Sequence, residues 1–146
     1  VSMGGFDTHA DQNLAQPNLL RQLADALAAF YRHTAGVGLA NSVTSFTASE
    51  FGRTFAMNGS LGTDHAWGGV QFVLGGAVKG GLYGTMPDQT LGGPDDTGNQ
   101  GRFIPTTAVD QVASTLALWY GVSPSALGYV TPRIGYFATP DLGFMG

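Results

Sequence analysis

The stretch PNLLRQLADALAAFYRHTAG, residues 17 to 36, followed by NSVTSFTASEF, residues 41 to 51, is where the fold is read. In the first segment Leu20, Leu23, Leu27, Phe30 and Tyr31 recur at spacings of three and four, while Arg21, Gln22, Asp25 and Arg32 take the opposite side. That periodicity predicts an amphipathic helix. Pro17 suits its first turn and Gly36 its exit. In the second segment Val43, Thr44, Phe46 and Thr47 favour a strand that runs out into the polar ASEFGRT. A helix feeding a strand that ends in a polar loop is the unit of an α/β fold, so the expectation is a partial, mostly parallel sheet flanked by helices.

Outward from that core, VQFVLGG at 70 to 76 is a second candidate strand, and the Gly-, Pro-, Asp- and Asn-rich segment from Asp88 to Arg102 reads as a long loop. TAVDQVASTLALWYG at 107 to 121 predicts a second helix. Thr107 and Asp110 imitate a capping box, and Val109, Val112, Ala113, Leu116, Trp119 and Tyr120 form its apolar stripe. The tail from Val122 to Gly146 alternates Pro, Gly and aromatics, which predicts irregular chain lying on the surface. The 146 residues suit one unit, with no second core and no linker. The chain begins at Val1 without an initiator Met or a leader, and reads as a piece of a longer protein.

Composition narrows the function. Only 11% of residues are charged, the net charge is -4, and the 6 basic residues are scattered singly. No basic stripe exists to follow a phosphate backbone, so nucleic acid is not an expected partner. No apolar run approaches the ~18 to 20 residues that cross a bilayer. Cysteine is absent, which removes disulfides and thiolate metal sites from consideration.

Two of the 3 histidines stand beside or near aspartates within glycine-rich chain: FDTH carries Asp7 and His9, and GTDHAWGG carries Asp64 and His65. Carboxylate oxygen with imidazole nitrogen is a donor set for zinc, manganese or iron. Asp7 and His9, two apart, share a face if the backbone is extended. Asp64 and His65, being adjacent, reach one centre only where the chain bends; otherwise one orients the other or a neighbouring loop. The plainer reading makes Asp7 a turn former, His9 a solvated loop residue and Asp64 a cap for a backbone amide. Two such pairs in a chain so poor in charge favour a site. Glu50, the single glutamate, is placed at the expected carboxyl end of the first strand, where open α/β sheets bind ligands. It is a candidate metal ligand or acid-base group, against a local ion pair with Arg53. Arg53 and Arg102 can each grip an anionic group bidentately. His33, in the last turn of the first helix, is explained by the helix dipole. GGAVKGG lacks the order of a phosphate-binding loop, and no serine is set as an activated nucleophile.

GGFDTH, the first helix, VTSFTASEFGRT, NGSLGTDHAWGG, FVLGGAVKGGLYG and GRFIPTTAVDQVASTLALWYGV follow in the order seen in a bacterial family known as domain of unknown function 1501. The chain resembles the C-terminal portion of such a protein, from about Gly4 to about Val122 and more loosely to Phe144, with full members roughly two to three times this length. The resemblance implies kinship with the alkaline phosphatase and sulfatase superfamily, an α/β fold with a metal centre at the carboxyl ends of its strands. It implies that Asp7 and His9 are a metal-ligand pair, that Glu50 takes the place of an Asp-His dyad with Phe51 where the imidazole should be, and that His65 resembles the last His ligand. Asp64 joins the candidate metal residues and Arg53 is the candidate substrate residue. The implied cofactor is a divalent metal, zinc with manganese or calcium as alternatives. The implied partners are a small anionic ester and the N-terminal portion of the same parent, which carries the nucleophile.

The expected function is therefore the C-terminal part of a metal-dependent phosphate- or sulfate-ester hydrolase. One alternative is a non-catalytic relative that keeps the fold as a binding or structural module, favoured by Phe51. Another is a partner-binding domain that uses the aromatic tail from Tyr129 to Phe144. Relatives with a twin-arginine leader imply a periplasmic or extracellular address.

Overall fold

Helix α1 runs from Gln12 to Gly36 in the computed structural model, which describes residues 1–146. It starts five residues before Pro17, so the proline sits inside the helix and not at its first position. Asp11 holds the left-handed conformation at the start (φ 47°), and its side chain makes no cap. The start is instead anchored from outside: the Asp11 amide donates to the Ser60 carbonyl at 3.1 Å and the Gln12 amide to the Leu61 carbonyl at 3.0 Å. At the other end Gly38 (φ 79°), not Gly36, makes the exit, with the Leu39 amide returning to the Thr34 carbonyl at 2.8 Å. This 6→1 bond satisfies a carbonyl that the helix end would otherwise leave unpaired.

Two compact units divide the chain: Val1–Gly76 with Pro87–Pro105, and Ala77–Met86 with Thr106–Gly146. In the first, strand β1 (Thr44–Phe46) pairs with β4 (Val73–Gly75), and β2 (Gly52–Arg53) pairs with β3 (His65–Ala66). Both ladders are antiparallel. The fold is α/β in the general sense, a helix with small antiparallel sheets, and the expected parallel sheet is corrected. A parallel neighbour needs a crossover, usually helical, between its strands. The chain between β1 and β4 holds no helix, only the β2–β3 ladder and loops, and it turns back on itself.

The buried side chains of this unit are Thr8, Thr34 and Thr54; no large apolar one is buried. Leu19, Leu23, Leu27 and Tyr31 form the half-buried stripe of α1, while Leu20 and Phe30, expected inside, are exposed. The glycine-rich segment at 88 to 102 is a loop, as its composition dictates, and it is folded around one carboxylate. Asp96 accepts the amides of Gly92 (3.0 Å), Gly98 (3.1 Å), Gly101 (2.9 Å) and Arg102 (3.0 Å). Desolvation pushes this carboxyl up, but the four amides together outweigh it and hold it below the ordinary aspartate range. A carboxyl depressed in the folded state contributes stability above its unfolded pKa and loses it as pH falls through the folded value. Asp96→Asn should therefore lower stability at neutral pH and flatten the acid limb below about pH 4. Urea midpoints for wild type and variant across that limb check this, and parallel curves would contradict it.

In the second unit, helix α2 spans Val109–Trp119. Its cap is not the Thr107–Asp110 pair: Gln111 Oε1 accepts the Ala108 amide at 3.0 Å, the reciprocal half of a capping box. Its most buried residues are Ser114 and Thr115, while Val109, Ala113 and Tyr120 of the expected stripe are exposed. The hydroxyls are inside because they pin the tail. Ser114 Oγ donates to the Pro140 carbonyl, and the Leu142 amide donates to Thr115 Oγ1 at 2.9 Å. The tail itself forms a short helix, α3 (Leu127–Val130), between two single 3-10 turns. It supplies Leu127, Ile134 and Phe144, the buried hydrophobic residues of this unit, so it is core and not the surface segment expected.

Candidate metal centre

Asp7 and His9 share a face, but through a tight turn and not an extended backbone. The His9 amide donates to the Asp7 carbonyl at 3.1 Å, closing a three-residue turn around the buried Thr8. The Thr63 amide then donates to the Thr8 carbonyl at 3.1 Å, which lays this segment beside the chain leading into β3. Within the β2–β3 ladder Arg53 is directly opposite His65. Residues opposite each other in an antiparallel pair project to the same face. Arg53 and His65 thus meet over Asp7.

Asp7 Oδ1 is the point of convergence. His9 Nε2 lies 3.0 Å from it, His65 Nε2 2.9 Å, and Arg53 Nη1 donates to it at 2.7 Å. The bonds from His65 and then Arg53 hold the Asp7 carboxyl below its ordinary range, in the anionic form a ligand needs. Asp7, His9 and His65 are half-exposed, and their ligand atoms all lie within 4.8 Å of one another. Donors at ~2.0 to 2.2 Å from a zinc ion sit somewhat closer together than that, within reach of a small rotation of exposed side chains. Two imidazole nitrogens and a carboxylate oxygen are a set that suits zinc, so the residues fit the group.

Asp64 lies one step back. Its Oδ1 is 3.1 Å from His9 Nδ1, the arrangement in which a carboxylate orients a ligand imidazole from its far side. Asn58 Nδ2 donates to the same Asp64 oxygen at 3.0 Å and to the His9 carbonyl at 3.0 Å, while Asn58 Oδ1 accepts the Ser60 and Gly62 amides. Asn58 and then His9 hold the Asp64 carboxyl below its ordinary range. Arg53 is fixed by Thr63, whose hydroxyl accepts from Arg53 Nε at 3.0 Å and donates to Gln12 Oε1 at 2.6 Å. Phe51 stacks on the His65 ring, centroids 3.8 Å apart and planes 14° from parallel. Arg102 Nε donates to the His65 carbonyl at 3.1 Å and fastens the 88 to 102 loop to β3.

Of the residues expected from the sequence, Asp7, His9 and His65 come together directly, with Arg53 on Asp7 and Asp64 behind His9. Glu50 does not join the ligand group. The strand before it ends at Phe46, so Glu50 stands exposed in the loop beyond, and Arg53 pairs with Asp7 in place of it. Asn58, Thr63, Gln12 and the stacking role of Phe51 carried no signal beyond ordinary turn and loop residues.

The family model described as "Protein of unknown function (DUF1501)" matches residues 1–110, which include every residue of this centre. No curated protein and no solved structure matches.

Proposed function

The chain belongs to this family of unknown function, and from that premise we propose that it is the metal-holding C-terminal portion of a metal-dependent hydrolase of phosphate or sulfate esters, related to the alkaline phosphatases and sulfatases. The observation that carries the reading is the approach of Asp7, His9 and His65 ligand atoms to within 4.8 Å. These three residues would hold a divalent ion, zinc first among the candidates. When bound, the ion supplies a lowered nucleophile pKa and stabilisation of charge on the transferred group's oxygens. Asp64 and Asn58 orient His9. Arg53 is held against Asp7 by its own bonds and keeps guanidinium hydrogens to spare for the oxygens of an anionic ester. On this reading the nucleophile comes from the N-terminal portion of the parent, and the mature protein acts in the periplasm or outside the cell.

Phe51 supports a second, narrower reading. An aromatic ring stacked on His65, where the resemblance expects a further imidazole, favours a single ion, and with it a binding module in place of a two-metal catalyst. One pair of measurements separates the two. Zinc titration of the chain against a chromophoric chelator should show a single ion; uptake of none would sink both. Assay of the full-length parent on 4-nitrophenyl phosphate and sulfate should show turnover that chelation abolishes. Zinc uptake without turnover leaves the binding module.

A further inference from the structure

Beside the cluster opens a cleft of about 370 Å³, and Arg53 belongs to both. Arg53 is its single ionisable lining residue. Two lining carboxamides, Asn13 in the first turn of α1 and Gln89 in the long loop, make no side-chain hydrogen bond within the chain, although both line the cleft. Phe55, Met57 and Phe103 also line the cleft, with Phe55 63% and Met57 59% exposed. Phe55 and Phe103 have centroids 5.8 Å apart with planes tilted at 53°.

We infer that this cleft receives the alcohol part of the ester, and that this part is an uncharged polyhydroxylated ring, making the substrate class a sugar sulfate or sugar phosphate. The inference rests on the ester reading above and names its substrate. A carboxamide offers two donors and an acceptor from one planar group, so two unengaged amides can serve several ring hydroxyls at once. The apolar wall takes the C–H face of such a ring, as apolar surfaces with a few placed polar groups do in small-molecule sites. A leaving group bearing its own charge would meet no counter-charge here except Arg53, which the anionic ester already occupies. The volume of about 370 Å³ lies within the ~300 to 1,000 Å³ typical of small-ligand clefts, enough for a single hexose.

The test is calorimetric titration of the zinc-loaded chain with glucose 6-sulfate, glucose 6-phosphate and inorganic sulfate, repeated on the double variant Asn13→Ala, Gln89→Ala. At least one hexose ester should bind about 10-fold tighter than inorganic sulfate, and the double variant should lose about that factor while its sulfate affinity stays unchanged, since two amide hydrogen bonds are worth roughly that much. Urea midpoints confirm that the variant is folded. A hexose ester that binds no tighter than inorganic sulfate, or a double variant that binds it as well as wild type, overturns the inference. Zinc stoichiometry measured on the same samples reports the metal reading separately: a chain that holds zinc but ignores the hexose loses only the substrate assignment.

Discussion

His9→Ala should abolish stoichiometric zinc binding, and His65→Ala should do the same, because each removes one of the three donors that converge within 4.8 Å. Partners behind a ligand are worth ~10–100-fold in metal affinity, and a ligand itself more. Asp64→Asn, behind His9, should therefore fall in that lower range and keep its stoichiometry, while Glu50→Gln should leave affinity unchanged. The graded series is the informative result. A chelator competition assay reads all four variants on one scale, and a His9→Ala chain that takes up zinc like wild type would remove the basis of the proposed centre.

The second large effect is on folding and acts through a glycine. A Cβ on Gly62 would overlap the His9 carbonyl carbon and oxygen and the Ala10 amide, all backbone atoms. One side chain ties the two segments together: Asn58 Nδ2 donates to the His9 carbonyl at 3.0 Å while Asn58 Oδ1 accepts the Gly62 amide at 3.1 Å. Gly62→Ala should cost about 3 kcal/mol, the upper end of overpacking, and displace His9 from Asp7 as it does so. The urea midpoint should fall and zinc affinity should fall with it. An unchanged midpoint would mean that the approach of these two segments is looser than their hydrogen bonds imply.

How much of this was legible depended on the length of the signal. Helix α1 is 25 residues long, with apolar residues recurring from Leu20 to Tyr31, and was readable, although Pro17 misled about its start because nothing in the sequence shows that the Ser60 and Leu61 carbonyls anchor the earlier turn. Helix α2 was readable as a helix and misread as to its face, because Ser114 and Thr115 are buried by bonds to a tail that periodicity does not see. Strands of two residues, Gly52–Arg53 and His65–Ala66, have no period at all. Their pairing nevertheless sets Arg53 across from His65, and with it half of the centre. The grouping of Asp7, His9 and His65 was legible through their chemistry, these being scarce residues of ligating type that the fold brings within 4.8 Å of one another. Glu50 was misplaced for a geometric reason: the strand that was to present it stops at Phe46. Asn58 was invisible because an asparagine before a glycine ordinarily means only a turn.

The threonine interior of the first unit reaches into calorimetry. Heat capacity rises on unfolding because apolar surface becomes wet, and it falls as polar surface does. A unit whose buried side chains are Thr8, Thr34 and Thr54, with its leucines only half covered, releases little of the first kind. Its heat capacity increment should lie below the usual ~12–15 cal/mol/K per residue. The corresponding stability curve is shallow, so cooling weakens this unit less than it weakens a protein held by an oily core, and warming loosens it over a broad span.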